Sequence, residues 1–261
     1  MNKKYIPLLG FIIALVITAL APFLTGKENL QATLLFPIIL IFAYYTKMNA
    51  KDLGLIFSKR KEYFIAIAYP LISALIVISL ATITGNLGQI NITFATLTAF
   101  LVLFFSTLIL TVTTEEGFFR GWLFGIMEKY DYTPKLIIVL TSLAFAIWHI
   151  PLFFLGGGLG GAYNLIPLYL STVFTGGAIM AIIRYRSGSI IVSSLSHTIW
   201  NSVNYILFGF GTAVGVLGIT PITIFDPERG FLGLGINVLF LIIFWYYTFH
   251  HTKKSDPQIP N

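Results

Sequence analysis

Eight apolar runs, each close to the length that crosses a lipid bilayer, follow one another along this sequence: Tyr5–Leu24, Leu30–Tyr45, Tyr63–Thr84, Phe94–Met127, Pro134–Leu155, Asn164–Ile183, Ser189–Phe208 and Phe231–Phe249. About 20 apolar residues in a helix match the hydrocarbon thickness. The fourth run is too long for one plain span and contains charges. Composition agrees, with 57% hydrophobic residues, only 10% charged, and a mean hydropathy of +0.87. An ordinary soluble domain carries roughly 25% charged residues. A water-soluble globule of this size could not cover its surface with so few charges, so its solvent must be lipid. The expectation is an all-α polytopic membrane helix bundle of about eight transmembrane helices, forming a single domain over residues 1–261. No internal repeat or low-complexity segment interrupts it, and Gly156–Gly161 reads as a flexible connection between the fifth and sixth spans.

The net charge of +6 does not point to nucleic acid, because the basic residues sit in short clusters between the apolar runs. Those clusters orient a membrane protein instead. With the N-terminus inside, Lys3, Lys4, Lys47, Lys51, Lys59, Arg60, Lys61, Lys129, Lys135, Arg184, Arg186, Lys253 and Lys254 fall on the inner side. Lys27 and Arg229 fall outside, and Arg120 lies within a span. That is 13, 2 and 1, together the 16 basic residues. The asymmetry predicts both termini cytoplasmic, in what we expect to be a prokaryotic cell membrane. Met1-Asn-Lys-Lys and the run after it have the outline of a signal peptide, with Ala19-Leu20-Ala21 as a cleavage site. The run is long enough to span and Pro22 would begin the mature chain, so we read it as a retained first span. The absence of Cys removes disulfides, thiolate nucleophiles and thiolate metal ligands.

Against the apolar background six residues stand out: Glu115, Glu116 and Arg120 in the fourth span, His149 in the fifth, His197 and Asn201 in the seventh. A charge at the centre of a spanning helix costs about 2.5–3.5 kcal/mol, so three in one span cost about 8–10 kcal/mol before pairing. A site facing the bundle interior would offset that. At 1.5 Å rise per residue, Glu115 lies roughly 21 Å from Lys129 and His149 roughly 21 Å from Lys135. His197 and Asn201 lie roughly 16 and 22 Å beyond Arg186. Three spans thus bring polar groups to a similar depth. Glu116 and Arg120, four residues apart, share a helix face and can pair, as can His197 and Asn201 in presenting two groups to one side. Glu115 is turned about 100° away and stays free for another partner.

Glu115-Glu116-Gly-Phe-Phe-Arg120, Phe145-Ala-Ile-Trp-His149 and His197-Thr-Ile-Trp-Asn201 read as E-E-x-x-x-R, F-x-x-x-H and H-x-x-x-N. In that order, on three hydrophobic spans, they resemble the motifs of the CAAX-protease and bacteriocin-processing family of intramembrane proteases. That family includes the type II CAAX prenyl endopeptidases and bacterial members such as bacteriocin-immunity proteins. The resemblance covers roughly residues 95–210. It implies peptide-bond hydrolysis within the membrane, on prenylated CAAX-type or bacteriocin- or pheromone-type peptides. Glu115 would act as general base on a water, assisted by His149. His197 and Asn201 would polarise the scissile carbonyl, and Glu116 and Arg120 would hold the fourth helix.

The chemistry is sound on its own terms, since donors held in a water-poor cavity stabilise an oxyanion more strongly than in water. No cofactor or metal is required by it. A competing reading makes Glu115, His149 and His197 a two-His, one-carboxylate zinc set. Asn is a poor zinc ligand and there is no H-E-x-x-H helix, which favours the glutamate mechanism. Two further readings are a non-catalytic protein that binds a peptide, as an immunity factor or scaffold would, and a proton-coupled transporter. Blander roles fit the neighbours: Phe145 packs, Gly117, Gly121 and Gly125 let a neighbouring helix approach, Pro151 ends or bends the fifth helix, and His250 and His251 are interface residues.

Overall fold

The computed structural model describes residues 3–27, 30–154, 163–210 and 213–251, and every regular element among them is helical. In chain order these are α1 (Ile6–Thr25), α2 (Leu30–Thr33), α3 (Leu35–Thr46), α4 (Arg60–Ile83), α5 (Phe94–Thr113), a π-helical stretch (Gly117–Leu123), α6 (Phe124–Lys129), α7 (Pro134–Trp148), α8 (Ile150–Phe154), α9 (Ile166–Ser187), α10 (Ile190–Leu207), α11 (Ile222–Phe225) and α12 (Phe231–Tyr246). Six helical stretches are long and apolar enough to cross a membrane, and Leu30–Thr46 is a shorter apolar one. The glycine-rich connection Gly156–Gly161, Lys253 and Lys254 lie outside the described residues.

The two runs that miss that measure do so for different reasons. The second is broken at Leu34, where α2 gives way to α3. The seventh, α10, is long enough but polar, with Ser193, Ser194, Ser196, Thr198, Ser202 and Asn204 all buried. It packs against α4, α5 and α9 and so meets its neighbours rather than lipid. Small hydroxyl residues let those helices come close. By contrast α1, α4, α5 and α12 expose Phe23, Phe64, Phe94 and Ile242 on their outer faces, an apolar belt far larger than a soluble surface tolerates.

The basic helix ends gather at one end of the bundle. Lys129 Nζ donates to the carbonyls of Thr46 and Lys47 at 3.0 Å each. Ser58 Oγ donates to the Ser187 carbonyl at 2.7 Å, and Arg186 pairs with Glu62 at 3.5 Å. At the opposite end the α4–α5 connection meets the segment after α10, with Asn91 N donating to Val216 O at 2.9 Å. Arg229 sits in that segment but is buried and paired with Asp226. It serves there as a structural cation.

The over-long fourth run bends. α5 starts in a capping box, in which Thr93 Oγ1 accepts from Thr96 N at 3.2 Å and Thr96 Oγ1 from Thr93 N at 3.1 Å. It ends at Thr114, and the chain re-enters helix through Glu115 and Glu116 into the π-helical stretch. The bend brings Gly117 so near the Val112 carbonyl that a Cβ there would lie 2.6 Å away. π turns inside helices recur at functional sites, and this one carries the E-E-x-x-x-R motif. The glycine stripe is used: at Gly117 an added Cβ would lie 3.0 Å from Ile39 of α3. The turn joining α3 to α4 rests on Gly121 and Gly125, through the Leu53 and Asp52 carbonyls. A short turn fits there because its carbonyls protrude where a helix would present side chains. Gly125→Ala drives a methyl into the Asp52 carbonyl and is expected to destabilise by about 1–3 kcal/mol. A thermal melt followed by tryptophan fluorescence checks it; an unchanged midpoint would show that the turn moves aside freely.

Candidate active site

Helix ends set the first histidine. Pro134 opens α7 at its first turn, where a missing N–H costs nothing. Pro151 cannot supply the N–H that continuing α7 would need, and the helix ends at Trp148 with His149 as its cap. The end is braced from α1 and α2: Gln31 Nε2 donates to the Trp148 carbonyl at 2.6 Å, and Trp148 Nε1 to Thr18 Oγ1 at 3.0 Å. His149 Nδ1 lies 2.8 Å from the Phe145 carbonyl. A carbonyl can only accept, so Nδ1 carries the proton and Nε2 offers a lone pair to the cavity.

The second histidine is held by the fourth run. Ser189 caps α10, its Oγ accepting from Ile191 N at 3.2 Å. Two turns on, His197 Nδ1 lies 3.1 Å from Glu116 Oε1, and its Nε2 lies 3.8 Å from Glu115 Oε2. The same Glu116 oxygen pairs with Arg120 Nη1 at 3.0 Å, with both side chains fully buried. Arg120 Nη2 donates to the Gly177 carbonyl at 2.9 Å, and its guanidinium lies 4.4 Å from the centre of the Phe145 ring. Glu116 and Arg120 therefore do more than hold the fourth helix: they tie it to α7, α9 and α10 and fix the His197 ring. Phe145 packs as expected and touches both histidine rings, at 4.6 Å from His149 and 6.1 Å from His197.

These groups share one cavity of about 100 Å³, lined by Glu115, His149, His197 and Asn201 together with Tyr169, Trp200 and others. Glu115 is 22% exposed, towards this space. A gap of 3.8 Å between its carboxylate and His197 is one that a water molecule can bridge. The arrangement can activate a water and, from Asn201 and His197, offer donors to a carbonyl oxygen. Among the described residues no three His, Cys, Asp or Glu side chains form a group that could hold a metal ion.

The cavity also holds residues that the reading of the sequence passed over, namely Tyr69, Tyr169, Tyr205, Asn237 and Glu228. Glu228 lies in the connection between α10 and α12. Its Oε1 accepts from Trp200 Nε1 at 3.2 Å. Trp200 stacks on Tyr69 at 5.5 Å and 9°, and Tyr69 Oη donates to Asn237 Oδ1 at 2.7 Å. Burial first, then the neighbouring Asp226 charge, raise the Glu228 carboxyl to about 7, against the pull of Arg229 and the Trp200 N–H. Two signals pointed here. Asn237 is the lone amide in an otherwise apolar span, and Asp226, Glu228 and Arg229 crowd three charges into four residues.

No curated protein matches the chain. The helices that build the site, residues 97–203, match the family model described as Type II CAAX prenyl endopeptidase Rce1-like, so this stretch of the chain is similar to that family.

Proposed function

We propose that this protein is an intramembrane endopeptidase in which Glu115 activates a water for attack on a peptide bond. The observation that carries the reading is the 3.8 Å opening between Glu115 and His197 Nε2, in a cavity shared with His149 and Asn201. Glu115 takes a proton from the water as its oxygen attacks the carbonyl carbon, and His149 Nε2 accepts a hydrogen bond from that water. Asn201 donates its amide N–H to the developing oxyanion. His197 can add a donor at Nε2 only as the imidazolium, for which Glu115 and Glu116 are the adjacent carboxylates. Collapse of the tetrahedral species expels the amine, which takes up the proton that Glu115 removed. A general base contributes about 10²–10⁴-fold to such a step.

The gathering of basic helix ends supports placing that end in the cytoplasm, with the N-terminus on the same side. The substrate class is a peptide, either a prenylated CAAX-type segment or a bacteriocin- or pheromone-type precursor. Comparing the peptides of cells with and without the protein tests this: an accumulating precursor is expected in its absence. An unchanged peptide pool, with transport that follows a proton gradient instead, would replace the peptidase by a carrier. Cleavage is further expected to survive exhaustive chelation with no zinc in the purified protein; loss on chelation and recovery with added zinc would overturn the metal-free mechanism.

A further inference from the structure

The Glu228 corner of the cavity is built as a site of its own. Its walls are aromatic: Tyr69, stacked on Trp200, and Tyr169 and Tyr205 all line the same space as Glu228. The Trp200 N–H fixes one carboxyl oxygen, while the Asp226–Arg229 pair pins the segment that carries it. Arg229 is engaged with Asp226. A buried carboxylate is costly, and a carboxylate among aromatic faces is the arrangement that attracts an organic cation.

We propose that Glu228 and the aromatic rings around it form a recognition pocket for a cationic group of the substrate, a Lys or Arg side chain or a free amine, next to the bond that Glu115 addresses. The identity of the ligand as a peptide rests on the peptidase reading. The pocket makes the enzyme selective rather than merely active: a basic residue near the cleavage point anchors the peptide, its cationic group facing the Glu228 carboxyl. Other titratable groups facing this corner are Tyr69, Tyr169, Tyr205, His197 and Glu115 from the helices, and Asp226 and Arg229 from the same segment. With the Glu228 carboxyl at about 7 in the empty pocket, it is mostly neutral below that pH and mostly ionised above. Cation binding should therefore tighten as pH rises from about 6 to 8.

The test uses the full-length Glu115→Gln protein in detergent, which separates binding from turnover. The probes are a short fluorescent apolar peptide with one central Lys and its twin with norleucine there. The Lys peptide is expected to bind about tenfold more tightly, as one charge-assisted contact gives, with the preference larger at the higher pH. Adding Glu228→Gln should erase the preference and leave the norleucine peptide's affinity unchanged, whereas Glu228→Asp should keep part of it, and thermal melts verify that each variant is folded. Equal affinities, no binding of either peptide, or a Lys preference that survives Glu228→Gln would overturn the pocket. The peptidase reading is tested separately on the wild-type protein. A Lys preference without cleavage would sink that reading and leave the pocket standing.

Discussion

Replacing Glu115 by Gln is expected to lower peptide cleavage by about 10²–10⁴-fold while the protein still folds and inserts. The change keeps the shape of a side chain that is partly open to the cavity and has one neighbour, His197, at 3.8 Å. It removes the carboxylate to which the mechanism assigns the proton, so the loss should fall on turnover rather than on substrate affinity. His149→Ala is expected to be milder, because His149 orients the water without taking its proton. The measurement is single-turnover cleavage of the precursor by purified variants in detergent, beside their thermal melts. Activity within about twofold of the wild type in Glu115→Gln would remove Glu115 as the base and with it the mechanism.

The second large effect is structural. Arg120→Met is expected to cost about 3–5 kcal/mol, the range for removing one partner of a buried ion pair. Both Arg120 and Glu116 are fully buried, so the orphaned carboxylate has no water to turn to. Its remaining partner would be His197 Nδ1 at 3.1 Å, which would drag the ring away from its position in the cavity. Arg120→Met combined with Glu116→Gln should recover part of the stability, since a buried pair replaced by neutral groups is far less harmful than half a pair. Tryptophan fluorescence melts read both variants. If the single variant melts like the wild type, the pair contributes little and the His197 ring must be held by something else.

How much of this was readable beforehand differs from residue to residue. Glu115, His149, His197 and Asn201 announced themselves because a polar group in an apolar span is expensive, and their equal depth followed from helix rise alone. The pairing of Glu116 with Arg120 followed from spacing on one helix. The contact of Glu116 with His197 did not, because spacing along one helix says nothing about what faces it across a bundle. The bend at Thr114 showed itself only as excess length. The seventh apolar run is a helix, α10, although its hydropathy is low for a span: the helix is shielded by three others and can be polar. Glu228 was lost because a charge in a connecting segment is ordinarily solvated. Only the fold turns this one inward.

The chain of contacts from Asn237 through Tyr69 and Trp200 to Glu228 starts outside the segment that matches the family model, in α12 and α4. The residues proposed to break a bond all lie between α5 and α10, whereas those proposed to grip one corner of the reaction chamber include Tyr69 from α4 and Glu228 from the connection after α10, beside Tyr169 and Trp200 of the matched segment. On the proposed roles, chemistry and preference draw on partly different stretches of the polypeptide. Exchanging the flanks between related proteins should transplant a taste for particular peptides without disturbing the cutting apparatus itself.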